Sequence, residues 1–372
     1  MNTPATTPPA AAQNDKAPAA GKRSFFGKKT RIIALTIVLP LVLAAGWCAN
    51  AVFGPSLESD TDTLDIYVPT GTSPQQLAEL LRPHLRHTFL LETMCQYAAR
   101  KKGAVHPGKF ILPKGLNTYR TVKTFFTQHG VEVSVRFNAT TIGLPAVAGA
   151  VARQIEADSA ALMAVFTDRR LLDSLGMDSL TISSVFIPDT YRFYWNTSAR
   201  DFFERILQEN KRFWTQNDRI AKAEALGMTP LQVVTLASIV QGETAKTDER
   251  PVVAGLYINR LRKGIRLQSD PTVVYALRLS GKRQGPIRRV YLEDLKIDSP
   301  FNTYRHAGLP PAPINIPDIS SIDAVLNPAQ HDYIYMCAST QRFGYHEFAS
   351  NHAKHNRNRR LYIRWLNQRN IK

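Results

Sequence analysis

The chain has 372 residues, of which 44% are hydrophobic and 21% charged, so it is long enough for one or two domains with packed cores. This composition excludes a collagen-like, disulfide-rich or wholly disordered protein. The formal net charge is +17, but residues 1–31 carry +5 and residues 341–372 carry +7, whereas residues 58–340 carry only +5. Because the excess charge lies at the two ends, no nucleic-acid partner is expected.

The first segment predicts a membrane anchor. Residues 32–53 form an uncharged, apolar run of 22 residues, which is long enough to cross a bilayer as a single transmembrane helix. Lysines and arginines precede this run and acidic residues follow it, so the N-terminus is expected in the cytoplasm and the rest of the chain outside the inner (cytoplasmic) membrane. Residues 1–31 are expected to be a disordered, basic cytoplasmic tail. A cleaved signal peptide is the alternative, since Ala49-Asn50-Ala51 resembles a cleavage site.

Residues 62–138 are expected to form a small α+β module of the βααβ type. Ser73 to Gln76 form a capping box with proline at the first helical position, and leucines at helical spacing follow. The expected elements are a strand at Asp62–Pro69, a helix from Pro74, a helix near Thr88–Lys102, a strand at Phe110–Leu112, a helix at Thr118–Gln128 and a strand at Val131–Phe137.

Residues 139–356 are expected to form a larger α+β domain, and residues 357–372 a basic C-terminal tail. Three helices are predicted at Pro145–Ala157, Ser159–Thr167 and Ala199–Asn217, and the intervening Phe186–Tyr191 is expected to be a turn. A second capping box at Thr229–Gln232 opens a helix that is apolar almost all round and therefore buried.

One acidic residue, Glu243, lies near the end of this apolar helix. Burial and the negative end of the helix dipole both disfavour a carboxylate there, so the pKa of Glu243 is expected to be raised. A carboxyl group that stays protonated near neutral pH can act as a general acid. The alternative is a solvated helix end or a salt bridge to Lys246 or Arg250.

No metal site, cofactor or disulfide framework is predicted. His346, His352 and His355 are spaced by six and three residues, which matches no common ligand pattern. The chain has three cysteines, one of them inside the apolar run, so no disulfide framework is possible.

Four segments in order resemble the endolytic murein transglycosylase (YceG-like) family. They are LASIVQGET, ERPVVAGLYINRLRKGIRLQSDPTVVYAL, SPFNTYRHAGLPPAPI and YHEFASNHAKHN. The resemblance covers roughly residues 30–360 and implies a LysM-like module at 62–138 followed by the catalytic domain at 139–356. Gln241 stands where the family more often has glutamate, so Glu243 is the single acid of its motif.

The resemblance implies a peptidoglycan lyase. Such an enzyme cleaves the β-1,4 bond between N-acetylmuramic acid and N-acetylglucosamine in nascent glycan strands and leaves a 1,6-anhydro end, with Glu243 as the catalytic residue. Motif matching implies that a further set of residues lines the saccharide groove: Asn259, Gln268, Asp270, Asn302, Tyr304 and His346. The implied partners are peptidoglycan glycan strands and the membrane, and peptidoglycan synthases are candidate partners.

The count of carboxylates also favours a lyase. A hydrolase needs two carboxyl groups, whereas a lytic transglycosylase needs no water and can use one carboxyl group first as acid and then as base. Asp270 is a candidate second carboxylate, so a muramidase-type hydrolase remains an alternative. A non-catalytic, peptidoglycan-binding scaffold is the other alternative.

Overall fold

The computed structural model describes residues 28–137, 143–283, 285–287 and 289–369. These residues form an α+β protein in which helices predominate. The helices are α1 (Lys28–Phe53), α2 (Pro74–Leu81), α3 (Leu91–Lys102), α4 (Thr118–Thr127), α5 (Gly143–Ala152), α6 (Ser159–Phe166), α7 (Arg169–Ser174), α8 (Ala199–Thr215), α9 (Arg219–Ala225), α10 (Pro230–Glu243), α11 (Arg250–Arg262), α12 (Asp270–Leu279), α13 (Ile319–Leu326) and α14 (His352–Gln368). The strands are β1 (Thr63–Val68), β2 (Gly108–Pro113), β3 (Glu132–Phe137), β4 (Asp189–Tyr194), β5 (Tyr335–Ala338) and β6 (His346–Ala349).

The strands pair as three separate antiparallel two-stranded sheets within the described residues. β1 pairs with β2, β3 with β4, and β5 with β6. Such small sheets are not stable alone, so each must pack against helices. Each of the three sheets packs against a different helical core.

Helix α1 has the length and hydropathy of a membrane span over Leu35–Phe53, where the mean hydropathy is 1.9 and the side chains are almost all exposed. Pro40 lies inside it. An exposed apolar helix of this length is expected to need a lipid or protein surface around it. The tail expected at residues 1–31 lies mostly outside the described residues.

The first core lies between the β1–β2 sheet and helices α2, α3 and α4. The order β1, α2, α3, β2 agrees with the predicted βααβ pattern, and the capping box of α2 at Ser73 and Gln76 is present. The end of α1 is fixed to this core, because Thr118 Oγ1 donates to the Ala51 carbonyl oxygen at 3.1 Å and Asn117 Nδ2 donates to that of Phe53 at 3.3 Å.

Strand β3 pairs with a strand outside residues 62–138. It was expected inside the module at 62–138, but it pairs with β4, and its Val135 and Phe137 pack in the second core with helices α5 to α8. The segment expected as a turn at Phe186–Tyr191 therefore continues into β4 from Asp189. Alternating residues identify a strand, but they do not specify its distant partner.

The third core surrounds helix α10. Every residue from Val233 to Val240 is buried, because α11, α12 and α13 pack around the helix. The capping box at Thr229 and Gln232 begins α10 as predicted. The last residue of the helix, Glu243, is thereby held at the edge of the most buried part of the domain.

The C-terminal residues form a helix rather than a separate tail. Helix α14 begins at His352. Asn351 caps it, because Asn351 Oδ1 accepts a hydrogen bond from the Lys354 backbone N–H at 2.9 Å. It packs on β5 and β6 and leaves Arg357, Arg359, Arg360 and Arg364 exposed. The boundary expected at residue 357 thus falls inside α14, because the helix capped by Asn351 continues through the basic residues to Gln368.

Candidate functional site

Two neutral hydroxyl groups bind the carboxyl group of Glu243. Tyr257 on α11 donates its hydroxyl to Glu243 Oε1 at 2.6 Å, and Ser269, just before α12, donates to the same oxygen at 2.5 Å. No hydrogen bond to Oε2 is found within the described part of the chain. One carboxyl oxygen is therefore fixed by the protein, while the other is available to a ligand.

The surroundings of Glu243 raise its pKa. Burial is the largest cause, and the nearby carboxylate of Asp270 acts in the same direction. The hydrogen bonds from Ser269 and Tyr257 and the proximity of His346 act in the opposite direction, but they are outweighed. The protonated acid is thus favoured, as the sequence predicts for a carboxyl group at the end of a buried helix.

Ser269 is held in place by a chain of hydroxyl groups. Its backbone N–H donates to Thr303 Oγ1 at 3.0 Å, and Thr303 Oγ1 lies 2.9 Å from Thr272 Oγ1. Thr272 Oγ1 in turn donates to the Ser269 carbonyl oxygen at 2.7 Å. All three residues are buried, so the Ser269 hydroxyl has a fixed direction toward Glu243.

Gly242 allows α12 to approach the end of α10. A Cβ atom at position 242 would lie 2.7 Å from Pro271 Cβ and 3.0 Å from Pro271 Cγ, which is closer than packed carbon atoms come. Pro271 comes directly after Ser269 and Asp270 in the chain, so its position affects theirs. The absence of a side chain at Gly242 therefore permits the contacts around Glu243.

Glu243 lies at the wall of an open cleft of about 620 Å³. The cleft is lined by residues from α10, α12 and two loops: Gly242, Glu243, Asp270, Pro271, Val274, Tyr275, Arg278, Ile287, Arg289, Val290, Ile314 and Asn315. Both acidic and basic side chains face this space, so it suits a ligand rich in polar groups.

Of the residues expected in the groove, Asp270 and Tyr304 lie near Glu243, and Gln268 directly precedes Ser269 in the chain. The Tyr304 hydroxyl donates to Asp270 Oδ1 at 2.6 Å, and burial together with this carboxylate raises the pKa of Tyr304. Gln268 has a positive φ of 50°, and its Oε1 accepts from Arg260 Nη2 at 2.6 Å. A non-glycine residue in that backbone region is uncommon and marks a constrained turn.

Two other expected groove residues bind backbone instead. Asn302 is fully buried, and its Nδ2 donates to the carbonyl oxygens of Leu295 and Ile297. Asn259 Nδ2 donates to the carbonyl oxygens of His331 and Tyr333 at 2.7 and 3.2 Å. The structure therefore places these amides where they fix loops around the site.

His346, the remaining expected residue, binds a second acid. Its ring Nδ1 lies 3.0 Å from Glu249 Oε2, and its backbone N–H donates to Glu249 Oε1 at 2.6 Å. Glu249 is 4% exposed. This pair fixes the β5–β6 hairpin to the start of α11, close enough to Glu243 to influence its pKa.

Gln241 stabilises the start of another helix. Its Oε1 accepts hydrogen bonds from the Asp318 backbone N–H at 2.7 Å and from Ser321 Oγ at 3.0 Å. These donors lie at the N-terminus of α13, where unpaired N–H groups need acceptors. The side chain at position 241 thus points to α13, whereas Glu243 lines the cleft.

Sequence reasoning assigned no site role to Tyr257, Ser269 or Gly242. Tyr257 lies in the apolar stretch PVVAGLYI, and a buried tyrosine hydroxyl normally needs a polar partner. Ser269 directly precedes the expected Asp270 in the sequence QSDPT. The need of a buried Tyr257 hydroxyl for a polar partner could have predicted a hydrogen bond with Glu243, the one acidic residue of the neighbouring buried helix.

Comparisons with known proteins identify relatives of this chain. A family model described as the YceG-like family matches residues 66–361. The chain is 28% identical over 335 residues to an endolytic murein transglycosylase of Bacillus subtilis (strain 168), covering 85% of this chain and 89% of the relative. It is 30% identical over 171 residues to a protein of the same name from Streptococcus pneumoniae serotype 2, covering 46% of this chain and 30% of that relative.

A solved structure has a related fold. The crystal structure of a yceG-like protein from Listeria monocytogenes matches with a TM-score of 0.51 and 23% identity, covering 80% of this chain and 99% of that chain. At this identity the likeness concerns the fold alone.

Proposed function

Since the chain belongs to the YceG-like family, we propose that it is a lytic transglycosylase of peptidoglycan. It cleaves the β-1,4 bond between N-acetylmuramic acid and N-acetylglucosamine within a glycan strand and leaves a 1,6-anhydro end. The observation that carries this proposal is the Glu243 carboxyl group at the cleft, bound through Oε1 by two neutral hydroxyl groups and favoured in its protonated form.

In the proposed mechanism Glu243 acts twice. The protonated carboxyl group donates its proton from Oε2 to the bridging O4 as the bond between this oxygen and the anomeric carbon breaks. The C6 hydroxyl of the muramic acid then attacks the anomeric carbon, and its proton passes to the Glu243 carboxylate. The products are a strand with a free 4-hydroxyl and a strand with a 1,6-anhydro ring, so no water is consumed and the acid is regenerated.

We propose that Gln268, Asp270 and Tyr304 contact the saccharide. Asp270 lines the cleft together with Glu243. The hydroxyl of Tyr304 donates to the Asp270 carboxylate and so orients it. Asn259 and Asn302 are positioning residues in this proposal, because their amides fix the surrounding loops. His346 positions the β5–β6 hairpin through its two contacts with Glu249.

The second candidate is a muramidase-type hydrolase, because Asp270 provides another carboxyl group in the same cleft. Mass spectrometry of products from purified, uncross-linked glycan strands distinguishes the candidates. The transglycosylase gives fragments with 1,6-anhydro ends, whereas a hydrolase gives reducing ends heavier by one water. Unchanged strands would contradict both activities and favour a scaffold, and Glu243→Gln serves as the inactive control.

We further propose that α1 anchors the protein in the cytoplasmic membrane with its N-terminus inside and residues after about 55 outside. The basic residues before the apolar run and the acidic residues after it support this orientation. Under this proposal residues 62–130 form a small module near the membrane, and the catalytic domain includes β3 and continues into α14.

The anchor is tested on the full chain with a tag at each end. Carbonate-washed membranes should retain both tags, and protease added to spheroplasts should remove the C-terminal tag alone. Release of a soluble protein whose N-terminus lies near residue 51 would instead demonstrate a cleaved signal peptide.

A further inference from the structure

The small N-terminal module has an apolar groove that the proposed chemistry does not use. The groove lies between α3 and α4 and has a volume of about 330 Å³. Its lining combines apolar side chains with three lysines: Leu90, Thr93, Met94, Tyr97, Ala98, Lys101, Lys102, Tyr119, Val122, Lys123 and Phe126. Tyr97 is 63% exposed and Tyr119 is 46% exposed. Exposed apolar surface of this kind usually marks an interaction site.

One end of the groove adjoins the outer part of helix α1. The ring of Phe89, next to Leu90 in the chain, stacks on the ring of Trp47 with centroids 4.8 Å apart. The rings of Phe53 and Tyr119 are 5.8 Å apart. Because Tyr119 lines the groove, this end of the groove adjoins the end of the apolar helix.

If α1 crosses the membrane as proposed, this end of the groove lies at the outer boundary of the bilayer. The apolar stretch Leu35–Phe53 has 19 residues, or about 28 Å of helix, close to the thickness of a bilayer core. Trp47 precedes Phe53 by six residues and is therefore about 9 Å deeper along the helix. Phe89, which contacts Trp47, then lies about 9 Å inside the apolar stretch, next to the acyl chains of the outer half of the bilayer.

The other end of the groove carries positive charge. Lys101 and Lys102 end α3, about 15 Å along the helix from Leu91, and Lys123 lies on α4. No ion pair of these three lysines is found among the described residues. Unpaired lysines at this position are suited to bind phosphate groups.

We infer that the groove binds a phospholipid of the leaflet in which α1 ends. An apolar channel that begins beside the membrane helix, passes Lys123 and ends at Lys101 and Lys102 has the polarity of such a lipid, with acyl carbons next to Leu90 and Met94 and an anionic headgroup at the lysines. The inference rests on the proposed membrane anchor. Binding would hold the module against the bilayer and so set the height of the catalytic domain above the surface where strands are synthesised.

The test is photocross-linking of the full chain in nanodiscs. The photoreactive residue p-benzoylphenylalanine replaces Tyr97 in the groove or, as the matched control, Ile111, which is exposed on β2 of the same module. The nanodiscs contain phosphatidylethanolamine with or without phosphatidylglycerol. After irradiation, mass spectrometry should find phospholipid attached at position 97 and none at 111, with phosphatidylglycerol preferred.

Charge reversal tests the role of the lysines. In the variant Lys101→Glu, Lys102→Glu, Lys123→Glu the preference for phosphatidylglycerol at position 97 should fall about 100-fold, since each of the three lysines near an anionic surface strengthens binding about fivefold. The matched control reverses Lys211 and Lys222, which lie on α8 and α9. Activity of the charge variant on soluble strands should stay at the wild-type level.

Several outcomes would overturn the inference. Equal labelling at positions 97 and 111 would show nonspecific contact with lipid. Attachment solely to an added polyprenyl phosphate would identify a different amphiphile. If the protein enters nanodiscs but no lipid is attached at position 97, lipid binding in the groove is refuted and the membrane anchor is not. If the protein does not enter nanodiscs, both the anchor and lipid binding are refuted. None of these results affects the product analysis that tests the lyase activity.

Discussion

The end of α10 and the start of α11 each carry a glutamate, six residues apart, in opposite surroundings. Glu243 has two neutral hydroxyl donors on a single oxygen and lines the cleft. Glu249 is 4% exposed and has both oxygens bound, one by the backbone N–H of His346 and the other by its ring.

The helix ends contribute to this difference. Glu243 is at the C-terminus of α10, where the dipole disfavours negative charge, whereas Glu249 is at the N-terminus of α11, where the dipole favours it. His346 also contacts both carboxyl oxygens of Glu249, whereas Tyr257 and Ser269 bind a single oxygen of Glu243. The two glutamates at the ends of this helix–helix connection therefore suit different roles, proton transfer for Glu243 and structural attachment for Glu249.

The largest expected effect is the loss of activity in Glu243→Gln. Removing a general acid costs about 10³-fold in kcat, because the amide cannot protonate the leaving oxygen. Release of anhydro-ended fragments measures this loss. Activity within tenfold of wild type would contradict the role of Glu243.

The same variant should be more resistant to denaturant at pH 7. The pKa of Glu243 is raised in the folded state, so the folded protein holds the proton more tightly than the unfolded chain does. As the pH rises through that pKa, Glu243 loses its proton and the free energy of unfolding of the wild-type protein falls. Glutamine retains an acceptor for Tyr257 and Ser269 without the buried charge. The gain should disappear near pH 4, below the unfolded pKa, and urea titrations at both pH values would show this.

The matched variant Glu249→Gln should have the opposite effects. It removes the charge and one of the two acceptors that bind His346, so the free energy of unfolding should fall by about 2 kcal/mol. At a temperature where the variant stays folded, its kcat should remain within a few-fold of wild type. A stable but inactive Glu249→Gln protein would refute the division of roles between the two glutamates.

Gly242→Ala tests the position of α12 relative to Glu243. The added methyl group would overlap Pro271, which must move together with Ser269 and Asp270. A displacement of about 1 Å in such a site lowers the rate by about 10- to 100-fold. The decrease should appear in kcat with little change in urea midpoint, and Gly264→Ala, which has no atom within 4 Å of its Cβ but a positive φ, should show the reverse.

Local patterns predicted much of the fold and the central residue of the site. The capping boxes at Thr229 and Ser73 and the apolar surface of α10 are properties of neighbouring residues, so they can be read from the sequence. The pairing of β3 with β4 joins segments more than fifty residues apart, and alternation does not encode that choice.

The same limit applies to the site. The position of Glu243 at the end of an apolar helix predicts its raised pKa, whereas the hydroxyl donors come from α11 and from the loop before α12. The backbone contacts of Asn302 and Asn259 could not be predicted from the sequence, because a motif identifies a residue but not the direction of its side chain.

A pair of substitutions around Glu243 should shift the pH profile in opposite directions. Ser269→Ala removes a hydrogen bond that lowers the pKa of Glu243, so the alkaline limb of kcat should move to higher pH. Asp270→Asn removes a carboxylate that raises this pKa, so the limb should move to lower pH. Profiles of kcat between pH 4 and 9 measure both shifts, and movement in the same direction would contradict the assignment of this limb to Glu243.

The smallest effect is expected for Gln241→Glu. A glutamate can accept the same hydrogen bonds from the Asp318 backbone N–H and from Ser321, and its charge would lie at the favourable N-terminus of α13. Activity should therefore stay within about twofold of wild type, whereas Gln241→Ala should lose about 1 kcal/mol of unfolding free energy, as helix caps do. If Gln241→Glu instead raised kcat tenfold, a carboxyl group at position 241 would take part in the chemistry, and the isolated carboxyl group of Glu243 would no longer suffice as an explanation.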